Sequence, residues 1–439
     1  MFICVLSLIL TAAQPGAIGG SAESPLELTM DRAVEIGTAS SFRLQRTRRN
    51  ERIADERVRE TKGALGPRFV VSFGANQSQR YYDFQGTYDY NQATPQFDST
   101  LGATASYELD ISGIRKRQLQ QTRLSKDASG VDAAQARVDV AAEVRGTYVR
   151  ALRAQQQVSV DGEYLKLLDS LIERARVSQP QTLGFLESER SNAALTLEQS
   201  KQGADLTFSS LRQTLRLEED RPLRLTTELP APPPLPGRDR LLSIAYENRN
   251  DLKHSEIRLK QARIAKIQAT DSRRPTLRVS AVASQALTGD TFLLRGADHG
   301  RSRTLGAVVN FALPLVSYDG GQLAANRNIA NIQAEQAMAD AEEAKERAEN
   351  EIDQFLIGLN RARERLSKLP DVQQARQSLS QAEQQMLAAP AREAAGLLAQ
   401  VTNARQNWKA SVLSRNDALT AFYTNYYQLQ RSLGTETVH

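Results

Sequence analysis

Four short segments of the chain alternate apolar residues with small or polar ones. The first is Phe69-Val70-Val71-Ser72-Phe73-Gly74-Ala75, and the third is Leu277-Arg278-Val279-Ser280-Ala281-Val282-Ala283. In the second, Leu101, Ala103, Ala105, Tyr107 and Leu109 alternate with Thr100, Gly102, Thr104, Ser106 and Glu108. In the fourth, Leu305, Ala307, Val309, Phe311 and Leu313 do the same. A period of two predicts strands. Elsewhere the period is helical. Helices are predicted over 29–63, ending at Gly63 and Gly66-Pro67, and over 240–273, ending at Pro275. Two very long helical stretches, about 113–178 and 319–388, follow the strand pairs. Breaks near Pro180 and Pro390 separate them from further helices, about 183–217 and 392–431.

The order helix, strand, strand, long helix, helix is therefore written twice, with an offset of roughly 204–212 residues. Residues 23–229 form the first repeat and 239–439 the second. A Pro-rich linker over 230–238, containing Pro230-Ala231-Pro232-Pro233-Pro234-Leu235-Pro236-Gly237, joins them and is expected to be extended. Strands of about ten residues suit a tilted crossing of a bilayer. A half-buried sheet in a soluble protein would show the same alternation. Four strands are too few to close a barrel, the smallest having about eight, and lipid does not tolerate open edges. If these strands cross a membrane, several chains must share one barrel, and three chains would supply twelve strands. The stretch 319–388 is about 70 residues, or roughly 100 Å of helix. Ala330, Ala334, Ala337, Ala341, Ala344, Ala348, Ile352, Phe355 and Leu359 give it a seam of mostly small residues suited to close coiled-coil packing.

Composition narrows the function. No apolar run reaches the roughly 20 residues of a transmembrane helix. Phe2 to Ala13 is shorter, and small residues Gly20-Ser21-Ala22 follow before Glu23. Residues 1–22 read as an export signal, although no Lys or Arg precedes the apolar run; a buried N-terminal strand or helix is the alternative. The one cysteine, Cys4, excludes a disulfide scaffold, and His254, His299 and His439 are too scattered to suggest metal ligands. A net charge of +5 arises from 56 basic and 51 acidic residues, a mixed surface. Arg43, Arg46, Arg48, Arg49, Arg52, Arg57, Arg59 and Lys62 are interleaved with Glu51, Asp55, Glu56 and Glu60, which favours a solvated helix over a nucleic-acid surface. Tyr81, Tyr82, Phe84, Tyr88 and Tyr90 suit either a packed hairpin or an interfacial aromatic girdle. No nucleophile, base and orienting group share a recognisable arrangement, and no cofactor motif is present, so no enzyme activity is expected.

Each second strand passes into its long helix through a distinctive turn. These are Tyr107-Glu108-Leu109-Asp110-Ile111-Ser112-Gly113-Ile114-Arg115 and Leu313-Pro314-Leu315-Val316-Ser317-Tyr318-Asp319-Gly320-Gly321-Gln322. The proline ends a strand, the glycines allow a tight turn, and Asp319 or Ser317 can cap the helix. With these two turns, Asp110 and Gly113 in one and Pro314, Asp319, Gly320 and Gly321 in the other, the chain resembles the TolC family of outer-membrane efflux and secretion channels. The resemblance covers nearly all of the chain after residue 22. It implies a mainly α fold with transmembrane β: a homotrimer with a shared 12-stranded β-barrel in outer-membrane lipid, four strands per chain. A long coiled-coil helical barrel would cross the periplasm. It implies a passive exit duct of a tripartite efflux or type I secretion system. The duct would be coupled through a periplasmic adaptor (membrane fusion) protein to an inner-membrane exporter, with no cofactor and no nucleic acid. The family's periplasmic entrance lies at two helix-turn-helix tips, here about 178–188 and 388–404. That makes Leu183, Glu187, Glu189, Gln400 and Asn403 the gate and adaptor candidates, without the acidic pair that some members carry in the second tip. The alternative function is a periplasmic or cytoplasmic coiled-coil scaffold without a pore.

Overall fold

The computed structural model describes residues 26–80, 83–84, 87–88, 94–218, 223–271, 275–289, 300–312 and 321–435. The export-signal reading of residues 1–22 lies outside them, as do Tyr81, Tyr82 and Tyr90 of the aromatic group. The described elements begin with β1 (Leu26–Leu28), α1 (Met30–Ser40), α2 (Phe42–Ala64), β2 (Arg68–Arg80), β3 (Asp83–Phe84), β4 (Thr87–Tyr88) and β5 (Thr94–Leu109). They continue with α3 (Ile114–Ser178), α4 (Leu183–Leu215), β6 (Leu223–Leu225), α5 (Arg238–Asn248) and α6 (Asn250–Asp271). The last are β7 (Thr276–Gly289), β8 (Gly300–Ala312), α7 (Gln322–Lys368), α8 (Val372–Ala388) and α9 (Ala391–Leu433). No helix is long and apolar enough to cross a membrane among the described residues.

Three predicted helices are broken. The 319–388 stretch is two helices, α7 and α8, because Pro370 has no backbone N–H to continue the ladder. Asp371 then caps α8, its carboxylate accepting from the Gln373 backbone N at 2.9 Å. The 29–63 helix breaks at Ser41, whose extended backbone and hydroxyl cap α2 by accepting from Leu44 N. The 240–273 helix breaks at Arg249, where ψ is 125°. The strands are longer than the alternation suggested, because polar residues such as Asn76, Gln77, Arg301 and Arg303 continue the ladders past the apolar positions.

The chain divides into two compact units. The first takes Met1–Ser40, Glu143–Pro233 and Asn360–Thr424, and the second takes Ser41–Ala142, Pro234–Leu359 and Asn425–His439.

In the first unit, β1 and β6 form a parallel pair with Leu28 opposite Leu225. Buried Tyr148 donates its hydroxyl to the Leu28 carbonyl at 2.8 Å. Gln155 holds both backbone groups of Leu225, at 3.1 and 3.0 Å. Gly37 is required for close approach of α1 to α3: a Cβ there would lie 2.5 Å from Val144 Cγ2. Further along, Leu171, Ile172, Ala175, Leu186, Met386 and Val401 form one core cluster. Tyr164, Leu168, Ala193, Leu379 and Trp408 form another.

The second unit is built on a four-stranded antiparallel sheet in the order β2-β5-β7-β8. Opposite residues of antiparallel strands share a face. One row runs Phe73, Leu101, Gln285, Arg303 and another Val71, Ala103, Ala283, Leu305. A third runs Phe69, Ala105, Ala281, Ala307. The opposite face carries Ser72, Gly102, Ser284 and Thr304 in one row and Arg68, Ser106, Ser280 and Val308 in another. In the same unit, the α7 seam buries Ala330, Ala334, Ala337, Ala344, Ala348, Ile352 and Leu359.

Candidate functional site

The sheet leaves its apolar face exposed, and on the edge strands β2 and β8 the described positions of the opposite face are exposed as well. Phe73 is 75% exposed and Leu305 88%, and Phe69, Val71, Leu101, Val309 and Phe311 are exposed with them. On the opposite face of β5, Gly102, Thr104, Ser106 and Glu108 are half-buried. Glu108 accepts from Arg278 Nη2 across the strands at 3.2 Å. A soluble sheet buries its apolar side; here that side is left open, over four strands. Both outer strands, β2 and β8, are 13 residues long, and among the described residues each has one unpaired edge.

The first strand-to-helix turn is organised by Asp110. Its carboxylate accepts from the backbone N of Arg115 at 3.2 Å and of Lys116 at 2.9 Å, satisfying the start of α3. Gly113 has φ +70°, a conformation that favours glycine. Arg115 folds back to the Glu108 carbonyl at 2.8 Å and to the Ala64 carbonyl. In the second turn Gly321 has φ +90° and its carbonyl accepts from Ala325 N. Pro314, Asp319 and Gly320 lie outside the described residues.

At the other candidate site the two helix-turn-helix tips meet. Pro180–Thr182 form a short 3-10 turn between α3 and α4. Gln179, 2% exposed, donates from Nε2 to the Ala389 carbonyl at the α8–α9 turn, 2.7 Å away. Gln181 donates to Gln179 Oε1 at 2.6 Å, and the Thr182 hydroxyl donates to the Gln179 carbonyl at 2.8 Å. Leu183 packs against the Leu171 and Met386 cluster together with Leu397 and Leu398. Gln400 and Asn403 are exposed, in a groove with Pro370, Asp371 and Gln374. Glu187 is exposed, whereas Glu189 turns inward.

A sequence model of the family described as Outer membrane efflux protein matches residues 37–177. No curated protein matches the chain. Solved structures resemble it over nearly its whole length, among them the following three. Crystal structures of CusC, described with its transmembrane channel formation, share 16% identity at TM-score 0.72, covering 94% of this chain and 93% of that one. The Campylobacter jejuni CmeC outer membrane channel shares 17% identity at TM-score 0.71, covering 98% and 94%. The open state of the Neisseria gonorrhoeae MtrE outer membrane channel shares 16% at TM-score 0.68, covering 92% and 89%. The chain has the fold of these outer-membrane channels.

Within this fold, the tip helices enclose a charge network that the sequence patterns did not single out. Arg405 is fully buried and reaches Glu383 Oε1 at 3.1 Å and Glu189 Oε2 at 3.9 Å. Arg174 adds a contact to Glu383 at 3.2 Å. Tyr164 donates to Glu189 Oε1 at 2.6 Å, and burial, then that carboxylate, pushes the phenol pKa up. Nearby, Asp161 forms an ion pair with Lys409 at 2.6 Å and accepts hydrogen bonds from Ser200 at 2.5 Å and Gln157 at 2.9 Å. Burial raises the Asp161 pKa, but these hydrogen bonds and the lysine charge outweigh it and hold the carboxyl below its ordinary value. The sequence carries a signal for this network. Leu379, Glu383 and Met386 lie on one stripe of α8, and Val401, Arg405 and Trp408 lie on one stripe of α9. Each charge therefore occupies a core position of a coiled-coil pattern.

Proposed function

We propose that the chain is one subunit of a passive outer-membrane exit duct, assembled from three copies. The observation that supports this is the sheet: an exposed apolar face, a mostly polar opposite face, and two edge strands of equal length whose outer edges are unpaired among the described residues. Lipid explains the apolar face, and pairing between copies removes the edges. The strands alternate in direction, so β8 of one copy meets β2 of the next in antiparallel sense, as ring closure requires. Two copies would give eight strands, a number whose interior is filled by side chains. Three give twelve, with room for a lumen lined by Thr104, Ser106, Glu108 and Arg278.

In this reading the repeats 23–229 and 239–439, joined through 230–238, each contribute a strand hairpin to the barrel and a helix pair to a coiled-coil wall in the periplasm. The tips that carry Leu183, Glu187, Gln400 and Asn403 form the entrance and the face for a periplasmic adaptor. An inner-membrane exporter supplies the energy, in efflux or type I secretion, and no bond is made or broken by this chain. Membrane fractionation tests the proposal. A barrel requires detergent for extraction, whereas a scaffold without a pore washes off in high salt or alkaline carbonate.

A further inference from the structure

The apolar face of the sheet ends in two arginines. Arg301 and Arg303 are exposed and lie on β8, on the face of Leu305, Val309 and Phe311. From Phe311 to Arg301 is ten residues, about 33 Å along the strand and about 25 Å after a tilt of about 40°. An outward apolar band is about 25 Å tall. If Phe311 marks its edge nearest the helices, Arg301 emerges at the opposite boundary. Arg303 lies about 5 Å lower, within reach of a side chain that extends its guanidinium towards headgroups. Across the sheet, the row of Arg301 continues through Leu287, Ser99 and Ala75, and that of Arg303 through Gln285, Leu101 and Phe73. No carboxylate shares either row, and among the described residues neither guanidinium has an ion-pair partner. The only carboxylates described on these strands, Asp98 and Glu108, occupy the other face. A soluble surface would disperse such charges; here two planar donors cap a lipid-facing band.

We propose that Arg301 and Arg303 form a binding site for the phosphate groups of an anionic lipid in the outer leaflet. The site rests on the channel reading above, because only that reading makes this face lipid-exposed and this end external. Guanidinium forks match phosphate geometry, and the partly apolar surroundings strengthen the pairing. The acyl chains would lie on Leu305, Val309 and Leu287.

The test measures binding of fluorescent bisphosphorylated lipid A to the detergent-solubilised full chain. Arg301→Gln with Arg303→Gln should weaken binding about tenfold or more. Arg301→Lys with Arg303→Lys, which keeps the charge, should retain more of it than the Gln pair. Arg278→Gln, on the opposite face, should leave it unchanged. Inorganic phosphate at millimolar concentration should not compete, because it lacks the acyl chains. Equal binding by the Gln pair and wild type would overturn the site, as would full competition by inorganic phosphate. Release of wild-type protein from membranes by carbonate would instead overturn the channel reading, and this site with it.

Discussion

Arg405 reaches Glu383 at 3.1 Å with no part of the arginine exposed, joining α9 to α8 inside the tip of the first unit. Glu189 of α4 lies on the other side of the same guanidinium. A buried ion of this kind is costly unless its partners are present. Arg405→Ala leaves Glu383 with Arg174 and Glu189 with the Tyr164 hydroxyl, and should destabilise the tip by about 3–5 kcal/mol. Arg405→Met with Glu383→Leu should cost less than Arg405→Ala. Thermal unfolding in detergent, followed by circular dichroism, ranks the variants. Equal melting of wild type and Arg405→Ala would show that the network contributes little.

Asp161 gives the tip a defined acid response. Its pKa is lowered in the folded chain, so its stabilising contribution is present above the unfolded value, near 3.8, and is lost as pH falls through the folded value. Asp161→Asn should lower the melting temperature at neutral pH and flatten its acid dependence below about pH 5. An unchanged slope would contradict the role assigned to Lys409, Ser200 and Gln157.

Gln179 fastens one tip turn to the other through the Ala389 carbonyl. Gln179→Ala leaves that carbonyl without its side-chain donor, at a cost of about 1–3 kcal/mol. Basal conductance in planar bilayers should rise. Gln400→Ala with Asn403→Ala should raise it more than either single change. Because Glu189 turns inward towards Tyr164 and Arg405, only Glu187 of the acidic tip candidates is exposed, and divalent cations should block weakly. Strong voltage-dependent block abolished by Glu187→Gln would place an acidic ring at the first tip.

Strand facing is testable at Ala105, on the apolar face in the row of Phe69 and Ala281. Ala105→Arg near mid-membrane should cost roughly 2–4 kcal/mol. Thr104→Arg, towards the lumen, should be much milder, and Glu108→Leu should mainly change lumen chemistry. Folding into vesicles, read by the gel shift of unheated samples, separates the two arginine variants. Spin labels reporting lipid contact at even positions would reverse the facing.

Much of the fold is legible in the sequence because it rests on local patterns. The period-two runs around Leu101 and Leu305 mark the strands, and the Ala-rich stripe from Ala330 marks a packed helix seam. What was not legible depended on single residues or on tertiary contact. Pro370 breaks a helix inside an otherwise continuous pattern. Ser41 and Arg249 end helices through a cap and a change of backbone angle. Arg249 in particular is held by Asp251 at 2.7 Å and by the remote Glu351 at 2.9 Å. Burial would lower its pKa, yet these two partners raise it. At the tips, Gln400 and Asn403 are candidates by position alone, and both are exposed. The inward turn of Glu189 depends on Tyr164 and Arg405, which are distant in sequence. The alternation marks two faces; on the inner strand β5 the apolar Leu101, Ala103, Tyr107 and Leu109 are exposed while Gly102, Thr104, Ser106 and Glu108 are half-buried.

The central claim is that β2 and β8 close a barrel between copies. The most direct measurement is the protein mass of the detergent-solubilised particle, by light scattering corrected for bound detergent. The account predicts a single species with the mass of three chains. A stable, folded particle with the mass of one chain would contradict it.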